Sequence, residues 1–161
     1  MSTYQWASAS ATATYAFGQQ LGSLFTPGVV VALQGDLGAG KTVLTQGIAA
    51  ALNIQERVTS PTFTLVNEYL YGNIPLIHID TYRLGEDTTA AGLEAATFGL
   101  EEILDRGDAI VVIEWAERVA PLLPADHLTI TLAAVPAAPT QRTITCTAHG
   151  PRSRLILERL L

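Results

Sequence analysis

Gly35-Asp-Leu-Gly-Ala-Gly40-Lys41-Thr42 fits the pattern G-x-x-x-x-G-K-[ST], and each residue type in it has a phosphate-binding rationale. Glycines let the backbone curl until successive N–H groups point at one anion. The helix that follows adds the partial positive charge of its first turn. Lys41 is a compact charge suited to β- and γ-phosphates, and Thr42 offers a hydroxyl to Mg²⁺. The run Asp36, Leu37, Gly38, Ala39, Gly40, Lys41, Thr42 and Val43 is therefore read as a nucleoside triphosphate site, with ATP as the expected ligand. Mg²⁺–ATP chemistry also needs hard oxygen ligands and a group that orients water. Two carboxylates stand at the ends of apolar runs: Glu114 after Ile110–Ile113, and Asp80 at the end of Leu76-Ile-His-Ile-Asp80. Either one could position the water. Ser60-Pro61-Thr62, about twenty residues past the Gly-rich loop, sits where a γ-phosphate-sensing switch would lie.

These groups need particular elements to hold them. Val29–Leu33 is a short, continuous apolar run, the mark of a strand buried on both faces. The loop then leads into a helix over about 41–52 that turns Val43, Leu44, Ile48 and Leu52 inward. Apolar spacing predicts an earlier helix over 7–25, stopped by Thr26-Pro27-Gly28. Phe63–Leu70 and Leu76–Asp80 flank the turn Tyr71-Gly72-Asn73 as a hairpin. In the latter strand His78 and Asp80 share a face. Thr88–Arg106 has helical period (Leu93, Ala96, Leu100, Ile103, Leu104), with a break near Gly99 and an end at Gly107. Ile110–Ile113 is a second buried strand. Leu128–Leu132 and the alternation at Ile144 and Cys146 make a second hairpin around a Pro-rich loop, 133–140. The last ten residues form a short helix packing Leu155, Leu157 and Leu160. The expected fold class is α/β: a single P-loop NTPase-like domain over 1–161, with a mixed parallel and antiparallel sheet flanked by helices.

Composition bounds the function. Of the 161 residues 48% are hydrophobic and 15% charged, enough to bury a core and too apolar for wholesale disorder. The net charge of −6 argues against a broad basic face that grips nucleic acid through its phosphates. One cysteine, Cys146, excludes a disulfide framework and a Cys-rich metal site. No apolar run is long enough to span a membrane and no signal segment is read, so the expected location is cytoplasmic. Eight of the nine basic residues are Arg, and the one lysine is Lys41. Three neighbours of the carboxylates stay ambiguous. His78 reads as a core histidine with satisfied ring nitrogens, Arg83 as an ion-pair partner of Asp80 or a phosphate contact, and Trp115 as core or as a cover for the site.

Five blocks occur in order: the loop 35–42, Thr59-Ser-Pro-Thr-Phe-Thr-Leu-Val-Asn-Glu-Tyr69, His78-Ile-Asp-Thr-Tyr-Arg83, Gly99-Leu-Glu-Glu102 and Ile113-Glu-Trp115. Over about residues 14–150 the chain resembles the bacterial TsaE (YjeE) family, small ATPases of tRNA threonylcarbamoyladenosine synthesis. The resemblance implies an ATPase that is weak alone and works with TsaB and TsaD. TsaD transfers the threonylcarbamoyl group to adenosine beside the anticodon, and ATP hydrolysis resets the complex between cycles. It further implies Thr42 and Glu114 as Mg²⁺ ligands, Asp80 as an acid acting on metal or water, and Ser60–Thr62 as the switch loop; with Lys41 from the loop chemistry, Asp80 and Glu114 are the expected catalytic residues. Looser similarity adds Ser10 and Arg142 as nucleotide contacts. Thr81 departs from the family, which usually has an apolar residue there; the N-terminal helix is unusually Ala/Thr-rich, and the C-terminal tail matches poorly.

A rival reading is a P-loop kinase for a small metabolite, which would need an Arg-rich lid. The stretch 84–108 has only Arg106 among seven acids, which disfavours it. Four of the nine basic residues lie at or after Arg142, with no basic stripe before them, so tRNA is expected to be reached through the complex. Glu94, Glu101, Glu102 and Asp105 form an acidic face that is either solvated or turned to a basic partner surface.

Overall fold

Short runs that are apolar at nearly every position make three of the strands, Val29–Leu33, Ala109–Ile113 and Leu76–Ile79 with only His78 interrupting, the pattern of strands covered on both faces. The computed structural model describes residues 1–61, 64–84 and 88–161, without the side chains of 88, 91–93 and 97. Its strands are β1 (Ser2–Ser8), β2 (Val30–Gln34), β3 (Val66–Tyr69), β4 (Leu76–Asp80), β5 (Ile110–Glu114), β6 (Leu128–Val135) and β7 (Ala138–Ala148). Its helices are α1 (Ala11–Leu24), α2 (Lys41–Ala51), α3 (Thr88–Thr97), α4 (Leu100–Asp105) and α5 (Pro151–Leu160), with a 3-10 segment at Ala116–Leu122. One sheet holds the strands in the order β1-β7-β6-β2-β5-β4-β3. β6, β2, β5 and β4 run parallel; β3, β7 and β1 are antiparallel to their neighbours. The expected mixed sheet with flanking helices is the observed fold.

Strand parity divides the core in two. Val31, Leu33, Ile110, Val112 and Leu76 face α1, α2 and α5, while Val30, Ala32, Val111, Ile113, Ile77 and Ile79 face α3, α4 and the 3-10 segment. On the first face α1 and α2 cross at backbone contact. A Cβ on Gly18 would lie 2.3 Å from the Leu44 carbonyl oxygen, and one on Gly47 2.1 Å from that of Tyr15. Only glycine permits that approach.

Several boundaries differ from expectation. The helix expected over 7–25 begins at Ala11, because Ser2–Ser8 pairs with Arg142–Ala148 as an edge strand and Ser10 caps the helix, its hydroxyl accepting from the Ala13 N–H at 3.1 Å. The strand expected over 63–70 is ordered as a ladder only at Val66–Tyr69; Thr62 and Phe63 lie outside the described residues. The loop expected over 133–140 is instead a turn at Pro136-Ala137, with Val135 paired to Ala138 and a bulge that leaves 139–141 of β7 unmatched before Ala134 pairs with Arg142. Pro139 fits in β7 because β1 pairs only from Arg142 onward. In α5 it is Ile156 and Leu157 that are buried, whereas Leu155 is 47% exposed. The helix break at Gly99 is present, with φ at +76°. The acidic residues Glu94, Glu101, Glu102 and Asp105 are exposed. Among the described residues no helix is long and apolar enough to cross a membrane.

Candidate functional site

Parallel strands deliver their C-terminal ends to one edge of the sheet, where loops and helix starts converge. β2 runs into the Gly-rich loop at that edge. Gly40 caps α2 with φ at +106°, a conformation that a side-chain-bearing residue adopts only under strain, so the loop can turn its N–H groups inward. β4 and β5 end beside it in register, Asp80 opposite Glu114. Both carboxylates share the parity of Val112 and Leu76, so they project on the α2 side of the sheet, toward Thr42.

The result is a cleft of about 400 Å³ walled by 37–43 of the loop and helix start, Ser60, Asp80, Tyr82, Glu114 and Trp115. The Thr42 hydroxyl lies 3.5 Å from Glu114 Oε1. The other oxygen of that carboxylate, Oε2, is 2.6 Å from His78 Nε2. Asp80 accepts from the Ser60 hydroxyl at 2.9 Å and from the Tyr82 N–H at 2.8 Å, which ties the 59–61 loop to the strand end. The Lys41 ammonium donates to the carbonyls of Gly35 and Asp36 and lies 4.1 Å from the centre of the Trp115 ring. Burial pushes Lys41 below the usual lysine range, opposed by the negative charges of Glu114, Glu117, Asp80 and Asp36.

Trp115 owes this position to backbone strain. Its φ of +58° is unusual for a residue with a side chain and turns the ring back over Lys41. The Thr81 hydroxyl holds the turn, donating to the carbonyls of Glu114 (3.0 Å) and Trp115 (2.6 Å). Thr81 therefore clasps the ends of β4 and β5 together. Tyr82 stacks obliquely on Trp115 with ring centres 4.9 Å apart, and Arg118 lies 5.5 Å from the Tyr82 ring. Tyr82 is a lining residue that sequence reasoning missed. Its only signal was its place two residues after Asp80.

The looser expectations sit at the margin. Ser10 spends its hydroxyl on capping α1, and Arg142 donates to the carbonyls of Ala39 (3.1 Å) and Gly38 (3.2 Å) from behind the loop. Asp36 lines a small recess with Arg142 on that far side and is absent from the cleft wall. Pro61 is buried and its carbonyl accepts from the Leu65 N–H, and Thr62 lies outside the described residues.

The donor set fits Mg²⁺. Oxygens sharing one octahedral shell lie roughly 3–4 Å apart, as the Thr42 hydroxyl and Glu114 Oε1 do. Among the described residues no three His, Cys, Asp or Glu side chains gather into a metal cage of their own. One or two side-chain oxygens completed by phosphates and water is the arrangement Mg²⁺ favours.

A family model described as "Threonylcarbamoyl adenosine biosynthesis protein TsaE" matches residues 8–144. The chain belongs to the TsaE family. It is 38% identical over 160 residues to the tRNA threonylcarbamoyladenosine biosynthesis protein TsaE of Bacillus subtilis strain 168, covering 99% of this chain and 95% of that one. The TsaE of a Nostoc species is 46% identical over 120 residues, 74% of this chain and 71% of its own. The crystal structure of Bacillus subtilis YdiB superposes with a TM-score of 0.83 at 33% identity, covering 99% of this chain and 94% of that one. The two Bacillus subtilis matches extend across the C-terminal tail, whereas the family model stops at residue 144.

Proposed function

We propose that this TsaE-family chain is a Mg²⁺-dependent ATPase subunit of tRNA threonylcarbamoyladenosine synthesis, acting with TsaB and TsaD homologues and hydrolysing ATP to reset the complex. The observation that carries this reading is the meeting of the Gly-rich loop with Glu114 across 3.5 Å at Thr42, with Lys41 buried beside both. The N–H groups of the loop and first turn of α2 would bind the phosphates, aided by the helix dipole. Lys41 would exchange the carbonyls of Gly35 and Asp36 for β- and γ-phosphate oxygens, a change that satisfies its buried charge better. Thr42 and Glu114 would hold Mg²⁺, which neutralises charge on the phosphates when bound. Asp80, held by Ser60 and the Tyr82 N–H, stands across from Glu114 to orient water for attack on the γ-phosphorus, giving ADP and phosphate. Ser60 gives the loop at 59–61 a direct handle on Asp80, so a change at the γ-phosphate would reach that loop. The tRNA would be engaged through the complex, in keeping with the net charge of −6.

Phosphate release from Mg²⁺–ATP, with the chain alone and then with its TsaB and TsaD homologues, tests the reading. Low release alone and a clear rise with partners, lost in Glu114→Ala, is the expected result. Equal release in both conditions, or a rise only with a small metabolite, would overturn it in favour of a kinase.

A further inference from the structure

His78 is fully buried, and its two ring nitrogens are treated unequally. Nε2 is 2.6 Å from Glu114 Oε2, while Nδ1 has no hydrogen-bond partner among the described residues. A stranded N–H costs more than a bare lone pair, so the ring proton belongs on Nε2, which donates to the carboxylate. An apolar side chain would fill the same space without leaving Nδ1 unsatisfied. The polar ring is thus explained by what Nε2 does.

What it does follows from register. His78 lies opposite Val112, two residues before Asp80 and on the same face, so its ring stands directly beneath Glu114. A glutamate has a broad, soft terminal torsion, and the negative charge of this one acts on the buried Lys41 ammonium across the cleft without an ion pair between them. With Oε2 released, the carboxylate would be drawn toward Lys41 and away from Thr42. We propose that His78 is a positioning residue: by fixing Oε2 from below it keeps Oε1 facing the Thr42 hydroxyl and prevents Glu114 and Lys41 from pairing. It acts through Glu114 and touches neither nucleotide nor metal. The proposal rests on the reading of Thr42 and Glu114 as Mg²⁺ ligands.

The test is the affinity for a fluorescent N-methylanthraniloyl-ATP, with and without MgCl₂, together with phosphate release in the assembled complex. The variants are His78→Leu, His78→Gln and His78→Asn. Gln carries its amide nitrogen where Nε2 lies, and Asn carries it where Nδ1 lies. His78→Leu and His78→Asn should lose about 10–100-fold of the Mg²⁺-dependent gain in affinity and of turnover, as loss of a group supporting a metal ligand typically does. Their metal-free affinity should stay the same, and His78→Gln should restore most of the gain. In a Glu114→Gln background, His78→Leu should add nothing further. Equal behaviour of the Gln and Asn variants overturns the proposal, as does an undiminished His78→Leu effect in the Glu114→Gln background. Wild-type protein with no Mg²⁺-dependent gain overturns the ATPase reading itself. A normal wild type with unaffected His78 variants overturns this inference alone.

Discussion

The parallel and antiparallel parts of the sheet are built from similar residues and end up with different tasks. β2, β5 and β4 are buried at nearly every position, and their apolar runs stop at the Gly-rich loop, Glu114 and Asp80, all at one edge. β6, parallel to β2 but antiparallel to β7, together with β7 and β1 alternates between buried and more exposed positions, and these three strands carry no carboxylate. Yet the antiparallel flank is not separate from the site, because Arg142 of β7 holds the carbonyls of Gly38 and Ala39 from behind. In a trans peptide the N–H points opposite to the carbonyl, so the Gly40 N–H is turned away from Arg142, whereas the Ala39 N–H is used by the Asp36 carbonyl at 3.0 Å. The parallel strands thus supply chemical groups, and the flank supplies the orientation of backbone dipoles.

If that division is right, the largest effects come from side chains at the parallel strand ends. Lys41→Arg keeps the charge but needs room under Trp115 where Lys41 is only 5% exposed, so ATP turnover should fall about 100-fold or more with unchanged circular dichroism. Wild-type turnover there would break the comparison. Gly47→Ala comes next and tests the support beneath the site. Its methyl group would lie 2.1 Å from the Tyr15 carbonyl oxygen, so α1 and α2 must part, at a cost of about 2–4 kcal/mol in urea unfolding.

Arg142→Ala should have a smaller effect, about tenfold weaker nucleotide binding by fluorescence titration, from the loss of charge-assisted bonds to the loop. An unchanged affinity would reduce the flank to a structural role. The smallest effect is expected at Asp126, before β6 and at the opposite end of the sheet, where its carboxylate accepts from the Arg152 and Ser153 N–H groups and the Ser153 hydroxyl. Asp126→Ala should cost about 1–2 kcal/mol of stability and leave turnover unchanged. Burial alone would raise the Asp126 pKa, but those hydrogen bonds and the Arg152 charge outweigh it and hold the value below 3.8. Its contribution is therefore present above about pH 4 and fades as pH falls through the lower folded-state value. Acid unfolding of the wild type and Asp126→Ala should accordingly converge at low pH.

Legibility varied with the range of the forces involved. The Gly-rich loop, the buried strands β2 and β5, the hairpins and the helix break at Gly99 were readable because each is set by local pattern: a continuous apolar run, a turn, a glycine. β1 differs: Tyr4 and Trp6 alternate with Thr3 and Gln5 as in a strand, but so short a run is given a partner only by β7, more than a hundred residues away. The same holds for Tyr82, which lines the cleft beside Trp115, a residue from another strand end.

Residue types settled which groups are available: one lysine, a threonine after it, two carboxylates at strand ends and a histidine in phase with one of them. Tertiary structure decided how they are used. It set Glu114 against Thr42 and His78 at once, folded Trp115 over Lys41, and gave Arg142 to the loop carbonyls. The physical reason is that period and propensity act over a few residues, whereas each of these contacts depends on strand register, which emerges only when the whole sheet closes around its two cores.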